Sequence, residues 1–506
     1  MHSLVSYQGL WPLFILAFIV AVAVFRSWRT GLLMFVVWIT FEDCVRKFNG
    51  NNMAIFFAKD AILLMTYISY LVSRQREKDI SLRFDNPLIG PLWVWVLVGL
   101  VQCFNPLLYH PGLPFLGIRM WFFYIPLLYL GYEFLRTEAG LRRMLMFLIS
   151  LSGIAAIIGL LQYAIGPQFL NPEGLNVPHL RLVGARAGMD ETFFRPTSLF
   201  TNPSRFGKLL FVYLWISLGA ISYLTQMRRE STNKLGVFWV WIVLVMIAGN
   251  ILINGWRALL VVSAITVPVF VIFAFRRAGG WSGLDPFQRT LMRAGMLAAI
   301  IGALLIAANW RPAMWQVLTR FYQTTLLPGS PEWAVPDRLD RYLISNRGSL
   351  WGALQRSGFT GHGTGTASLG QHYLFDIDPV AEGEKYGSID TKYYENVPVE
   401  GGFGAVVWEW GAVGLAVWFW WTIALMIHQA RAVRILKGTR FYSLGLGILL
   451  WSFSYLFPLT FMGVQIFQDY IANAYFWLSV GILFRLRDFA TDEWLETRDR
   501  IKVENV

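Results

Sequence analysis

Met144-Leu145-Met146-Phe147-Leu148-Ile149-Ser150-Leu151-Ser152-Gly153-Ile154-Ala155-Ala156-Ile157-Ile158-Gly159-Leu160-Leu161-Gln162-Tyr163-Ala164 runs for 21 residues without a charge, directly after Arg142-Arg143. As a helix it would be about 32 Å long, enough to cross a hydrocarbon core of about 30 Å. Runs of the same kind recur from end to end of the chain. They predict spans at 8–25, 29–45, 52–72, 87–106, 118–135, 143–164, 206–225, 236–253, 257–275, 291–308, 402–427, 441–461 and 467–485. The second has the shortest clean apolar core, 32–40, and ends in Glu42 and Asp43. Composition agrees: of 506 residues 56% are hydrophobic and 15% charged, a membrane balance. No stretch of soluble-domain size separates the spans. The expectation is an all-α polytopic membrane protein of 12 to 13 transmembrane helices, a single integral domain over 1–506. Residues 1–10 carry no basic n-region, and no small-residue cleavage site follows the first apolar run, so that run reads as a retained helix.

The net charge of +12 sits in short loops between spans, where topology and anionic lipid account for it better than nucleic acid does. Arg74, Arg76, Lys78 and Arg83 follow the third span, Arg136, Arg142 and Arg143 the fifth, and Arg228, Arg229 and Lys234 the seventh. Arg276, Arg277, Arg289 and Arg293 follow the ninth, and Arg431, Arg434, Lys437 and Arg440 the eleventh. Every second loop is therefore basic and predicted cytoplasmic, together with the tail at 486–506. Cys44 and Cys103 are too few and too scattered for a disulfide framework or a metal centre.

Three segments then fall outside: 166–205, the short turn at 254–257, and 309–401, the only loop long enough to fold over a site. The long loop should be partly helical near 346–356, followed by the turn-forming run Gly361-His362-Gly363-Thr364-Gly365. Five arginines lie on this predicted external side: Arg119 opening the fifth span, Arg195 and Arg205 before the seventh, Arg257 opening the ninth, and Arg347 in the long loop. The positive-inside rule leaves them unexplained. A pyrophosphate ester explains them, because guanidinium forks match phosphate oxygens bidentately and keep their charge. The plainer reading is that each reaches the interface or pairs with a nearby acid.

The order of short motifs resembles the O-antigen ligase/polymerase family. Arg195-Pro196 through Asn202-Pro203-Ser204-Arg205 is similar to its Arg…Gly-Phe-x-Asn-Pro-Asn segment, and Asn254-Gly255-Trp256-Arg257-Ala258 to its Ser-Arg-Gly/Ala helix start. Arg347-Gly348-Ser349-Leu350-Trp351 with Gly361-His362-Gly363 resembles the outer-loop signature, and Glu409-Trp410-Gly411-Ala412-Val413-Gly414-Leu415 the Glu-x-Gly-x-x-Gly-Leu that closes the loop. The resemblance covers about 190–420. It implies a multi-pass protein of the bacterial inner membrane with a long periplasmic loop, and transfer of glycan from an undecaprenyl-pyrophosphate carrier to a glycan or lipid hydroxyl, without metal or cofactor and with inversion. Assembly proteins for O-antigen or exopolysaccharide would be its partners. Arg195 and Arg257 match the phosphate-binding positions, with Arg119, Arg205 and Arg347 as further candidates. Where the family has a His-Asn base pair this chain has Glu400-Gly401, or in a longer gap Glu395-Asn396, so Glu400 becomes the candidate base, with His362 and then His372 as alternatives. This departure favours a polymerase or divergent transferase over a ligase. A transporter of lipid-linked glycan would use the same arginines and need no base.

Other signals have simpler readings. Lys59-Asp60 should face the bundle interior as an ion pair. Glu42-Asp43 could hold a metal ion, yet Arg46-Lys47 beside them would neutralise them on the first outer loop. Asp376-Ile377-Asp378 sits where nucleotide sugars are absent. Trp310, Trp315, Trp333 and Trp351 could stack on sugar faces. There is no phosphate loop, His-Glu-x-x-His or Cys-x-x-Cys.

Overall fold

The computed structural model describes residues 11–49, 52–76, 89–166, 168–171, 195–227, 234–254, 256–277, 350–368, 374, 402–462, 467 and 469–504. Among them the ordered elements are helices, in chain order α1 (Trp11–Arg26), α2 (Trp28–Phe48), α3 (Met53–Arg76), α4 (Ile89–Val101), α5 (Leu113–Trp121), α6 (Leu127–Phe134) and α7 (Glu138–Ile165). They continue as α8 (Pro203–Met227), α9 (Lys234–Asn254), α10 (Arg257–Arg277), α11 (Leu350–Ser357), α12 (Gly402–Ile435), α13 (Tyr442–Ser454) and α14 (Tyr470–Glu504). Among the described residues six stretches are long and apolar enough to cross a membrane: Ala54–Gln75, Glu138–Ile165, Pro203–Thr225, Gly236–Asn254, Gly402–Ile435 and Tyr442–Leu459, the last including a π-helical turn after α13. Shorter apolar helices cover Gly90–Phe104 and Ala258–Ala274. The chain is an all-α polytopic membrane protein.

Eleven of the predicted spans fall on these helices, and the one at 291–308 lies outside the described residues. The fifth, 118–135, is two helices instead of one. Phe122 N and Phe123 N both donate to Ile118 O, the chain turns, and Pro126, which has no N–H to continue a helix, sits at the start of α6. Arg119 therefore stands in the last turn of α5 and does not open a span. Of the predicted helix at 346–356 the part from 350 appears as α11, 346–349 lying outside the described residues, and the tail from 486 continues α14 as helix to Glu504.

Helix ends beside three of the segments predicted cytoplasmic, those after the fifth, seventh and eleventh spans, meet at one end of the bundle together with the start of the tail. Arg440 Nη2 lies 2.7 Å from Glu138 Oε2, Tyr223 OH donates to Glu138 at 2.8 Å, and Arg485 Nε donates to Leu135 O at 2.7 Å. The other end collects the C-termini of α2, α7 and α9 and the N-termini of α3, α8, α10, α12 and α14. Between the ends, indoles fill the core. Trp95 stacks on Trp421 with centroids 4.5 Å apart and Trp121 meets Trp410 at 4.8 Å, which joins α4, α5 and α12.

Candidate functional site

A buried network of charge occupies the predicted external end. Glu42 on α2 is fully buried, with the equally buried Lys59 Nζ of α3 at 3.0 Å. Asp43, one residue on, has Arg46 Nη2 at 2.8 Å, accepts from Arg205 Nη1 of α8 at 2.5 Å, and accepts from both the N–H and the hydroxyl of Thr201 at 3.2 and 3.1 Å. Arg205 Nε also stands 3.8 Å from Asp469, which accepts from Lys208 Nζ at 3.0 Å. On the α5 side Arg119 Nε donates to Asp60 Oδ2 at 2.7 Å, and Tyr124 OH to Asp60 Oδ1 at 3.3 Å.

Aromatic rings tie these pairs together. Lys59 Nζ lies 3.3 Å from the Phe56 ring centre and 4.3 Å from that of Tyr470, while Arg46 and Arg119 sit over Phe56 at 5.1 and 4.7 Å. Three cations around one ring use its negative faces in place of water. Lys47 is equally buried and is held by neutral acceptors, Thr197 Oγ1 at 3.2 Å and Ser198 O at 3.0 Å. The network thus holds six cations, Arg46, Lys47, Lys59, Arg119, Arg205 and Lys208, against four carboxylates, Glu42, Asp43, Asp60 and Asp469, among the described residues. Arg119 and Arg205 keep 25% and 21% of their side chains exposed, so they form its accessible rim.

The segment before α8 is built to present this rim. Gln162 Oε1 of α7 accepts from Thr197 N at 2.7 Å and Ser198 N at 2.8 Å, and Ser198 takes a left-handed φ of 52°. Arg195 Nε donates to Asn254 O at the end of α9 at 2.6 Å, and Asn254 Nδ2 donates to Pro203 O at 2.9 Å. Arg257 begins α10 three residues later, so the chain brings Arg195 to the turn that Arg257 closes.

The glycine run of the long loop is fastened to a break in α12. Gly411 has φ 65° and ψ −162° inside that helix. Its neighbours reach the loop backbone: Ala412 N donates to Gly358 O at 3.0 Å and Val413 N to Phe359 O at 3.3 Å, while His362 N and Gly363 N donate to Trp408 O and Glu409 O at 2.9 Å each. The Glu409 carboxyl is fully buried and accepts from Trp121 Nε1 at 2.8 Å and Ala367 N at 3.0 Å. This carboxyl staples loop to α5, and both its oxygens are taken. Thr364 Oγ1 donates to Gly99 O at 2.6 Å and accepts from Trp410 Nε1 at 2.9 Å, closing the loop on α4.

Several sequence expectations change. Lys59 and Asp60 do not pair with each other: each crosses to a different helix, Lys59 to Glu42 and Asp60 to Arg119. Glu42 and Asp43 lie on α2 and not on a loop, and of their basic neighbours only Arg46 contacts them, since Lys47 turns to Thr197 and Ser198. The structure brings Arg119 and Arg205 into one network through Lys59, Phe56 and Tyr470. His362 is half-buried and stacked on Trp408 at 4.1 Å, with Nδ1 3.3 Å from both Ser357 Oγ and Trp408 O. Burial holds its imidazole below its ordinary pKa. Glu400, Glu395, Asn396, Arg347, His372, Trp310, Trp315, Trp333 and the 376–378 triplet lie outside the described residues, as does the side chain of Arg257. Trp351 is exposed on α11. Sequence reasoning passed over Lys208 and Asp469. The signal was present: a lysine three residues after Arg205 on one helix face, and an acid at the start of an apolar span.

Comparison with family models and with curated proteins gives no match for the chain.

Proposed function

We propose that the protein is a glycan transferase of a bacterial inner membrane, which polymerises or ligates oligosaccharide from an undecaprenyl-pyrophosphate carrier on the periplasmic face. The observation that carries this reading is the buried network at the predicted external end, with two more cations than carboxylates among the described residues. Uncompensated buried cations are costly, and a pyrophosphate would supply the missing negative charge. The motif order from Arg195 to Leu415 supports the same reading.

In the reaction the acceptor oxygen forms a bond to the anomeric carbon as the bond from that carbon to the pyrophosphate oxygen breaks. The pyrophosphate leaves with the electron pair. Arg205 on the rim stabilises that charge without reorganising, because Asp43 already holds it; Arg119, Arg195 and Arg257 are the further cations assigned to the pyrophosphate in this reading. The acceptor proton passes to a base of the long loop, Glu400 in this reading, with His362 as the alternative; attack from the face opposite the leaving group inverts the centre.

The test is chain growth by purified protein supplied with lipid-linked oligosaccharide. Elongation that Arg205→Ala or Arg257→Ala abolishes supports the reading. Carrier binding without elongation refutes it and leaves movement of the carrier as the function.

A further inference from the structure

The Asp60 and Arg119 pair stands where two lipid-facing surfaces meet. On α3 the exposed side chains Phe57, Leu64, Ile68 and Leu71 recur at helical spacing and form one apolar stripe. Asp60 lies at its edge, between the buried Lys59 and the exposed Ala61 and one turn from Phe57. On α5, Phe115 is 76% exposed one turn before Arg119. Asp60 is seven residues into α3, about 10 Å along the axis from its start. The pair keeps 25% of the arginine and 16% of the aspartate side chain accessible there. Pairing compensates the two charges, and the part of the pair left accessible on an apolar perimeter is placed to meet an ionic group carried by a lipid.

The pair is also incomplete as a fork. Arg119 engages Asp60 through Nε, and its Nη2 is buried with no hydrogen-bond partner among the described residues. Behind Arg119, across the Phe56 ring, stand Lys59 and Arg46 of the same cation-rich network. A phospholipid diester carries one negative charge; a pyrophosphate carries at least two and matches the two-cation excess.

We propose that the seam between α3 and α5 is a lateral portal for a polyprenyl pyrophosphate. Its chain lies along the Phe57, Leu64, Ile68 and Leu71 stripe, and its headgroup displaces Asp60 from Arg119 on the way to Arg205. Asp60 is the gate of this portal: it holds the arginine when no lipid is present and competes with the headgroup for it. The proposal rests on the lipid-linked donor reading and adds the route by which the donor arrives.

The experiment uses the full chain in nanodiscs with p-benzoylphenylalanine in place of Leu64 or Ile68, and in place of Ile265 on α10 as an equally lipid-exposed control. After irradiation with a polyprenyl pyrophosphate, intact mass reads the adduct. Adducts at 64 and 68 should exceed that at 265 several-fold and withstand excess phosphatidylglycerol. They should fall roughly tenfold with Arg119→Ala, the loss expected for one charged hydrogen-bonding contact. Asp60→Asn should move adduct formation to lower lipid concentration. Arg119→Lys, which keeps the charge without the fork, should fall between wild type and Arg119→Ala and guards against a folding defect in the latter. Equal adducts at 265, or adducts that phosphatidylglycerol removes or that neither Arg119 variant changes, overturn the portal. Adducts at 64 and 68 in a protein that elongates no glycan leave the portal standing and remove the transferase reading; elongation without those adducts removes the portal alone.

Discussion

Gly411→Ala separates what sequence and structure say about one residue. Glycine inside an apolar helix is a poor helix former, and by propensity alone alanine stabilises by up to about 1 kcal/mol. At Gly411, however, φ is 65° and ψ −162°, a region nearly closed to side chains, where forcing a non-glycine residue costs about 1–3 kcal/mol. A methyl built there also falls closer to Phe359 O than van der Waals contact allows and 2.6 Å from Thr360 N. The loop would have to withdraw, giving up Ala412 N to Gly358 O and Val413 N to Phe359 O, each worth about 1 kcal/mol net. The expected result is destabilisation of about 2–4 kcal/mol after the propensity gain is subtracted. The assay is unfolding with rising SDS mole fraction in mixed micelles, followed by tryptophan fluorescence. Gly249→Ala is the matched control, since a methyl there meets only Leu160 Cδ2 at 3.9 Å and should leave stability unchanged or slightly raised. A Gly411→Ala protein as stable as wild type would refute the loop-to-helix docking, and an equal loss in both variants would show that the assay reads glycine content rather than the break in α12.

Asp43→Asn strips the anion from Arg46 and Arg205 and should cost about 3 kcal/mol or more in the same assay, as expected when one partner of a buried ion pair is removed; a change near zero would mean that the network relaxes around it. Trp121→Phe removes the donor to Glu409 Oε2 and should cost about 1–3 kcal/mol while sparing headgroup binding, read by titration with polyprenyl pyrophosphate. Burial lowers the pKa of His362, so the unfolded chain binds more protons than the folded one, and stability should fall as pH drops below about 6.5. His362→Gln should remove that acid limb from melting curves taken between about pH 5 and 7.5, and an unchanged limb would assign it elsewhere. Glu400→Gln should reduce glycan elongation roughly a hundredfold or more with carrier affinity unchanged; intact turnover would dismiss Glu400 as the base.

Most helices were legible because a spanning segment must satisfy its own backbone, which writes long uncharged runs into the chain. The break in the fifth span was written too, in Pro126, but hydropathy averages over a single proline. The site was half legible. Arg119 and Arg205 stand out as charge on the unexpected side, yet their partners do not, because Arg205 and Asp43 are separated by 162 positions and Lys208 and Asp469 by 261. The neighbours Lys59 and Asp60 invited pairing on paper. Adjacent residues on a helix point about 100° apart, and so each found its partner on another helix. The Glu-x-Gly element was visible as a motif whose glycine and carboxylate acquire a reason only when the loop is seen in the break of α12.

The short helix α5 is where these separate features become one. Arg119 reaches Asp60 and the cation network, Met120 O accepts from Asn473 Nδ2 of α14 at 2.7 Å, and Trp121 donates to Glu409, which holds the loop at Ala367. Three successive side chains or carbonyls of one helix can face three neighbours because successive residues fan around the axis. An unbroken fifth span would have kept its backbone inside a regular helix; the turn at 122–126 lets α5 be placed independently of α6, whose fit against α14 is set by Gly131 and Gly481. The position of the rim arginine and the position of the loop are therefore set by the same nine residues. A change that shifts α5 must move both, so Gly117→Ala, whose methyl would sit 2.5 Å from Gly365 N, should weaken loop docking and headgroup binding together, whereas Trp121→Phe, which removes one hydrogen bond without displacing α5, should weaken the loop alone.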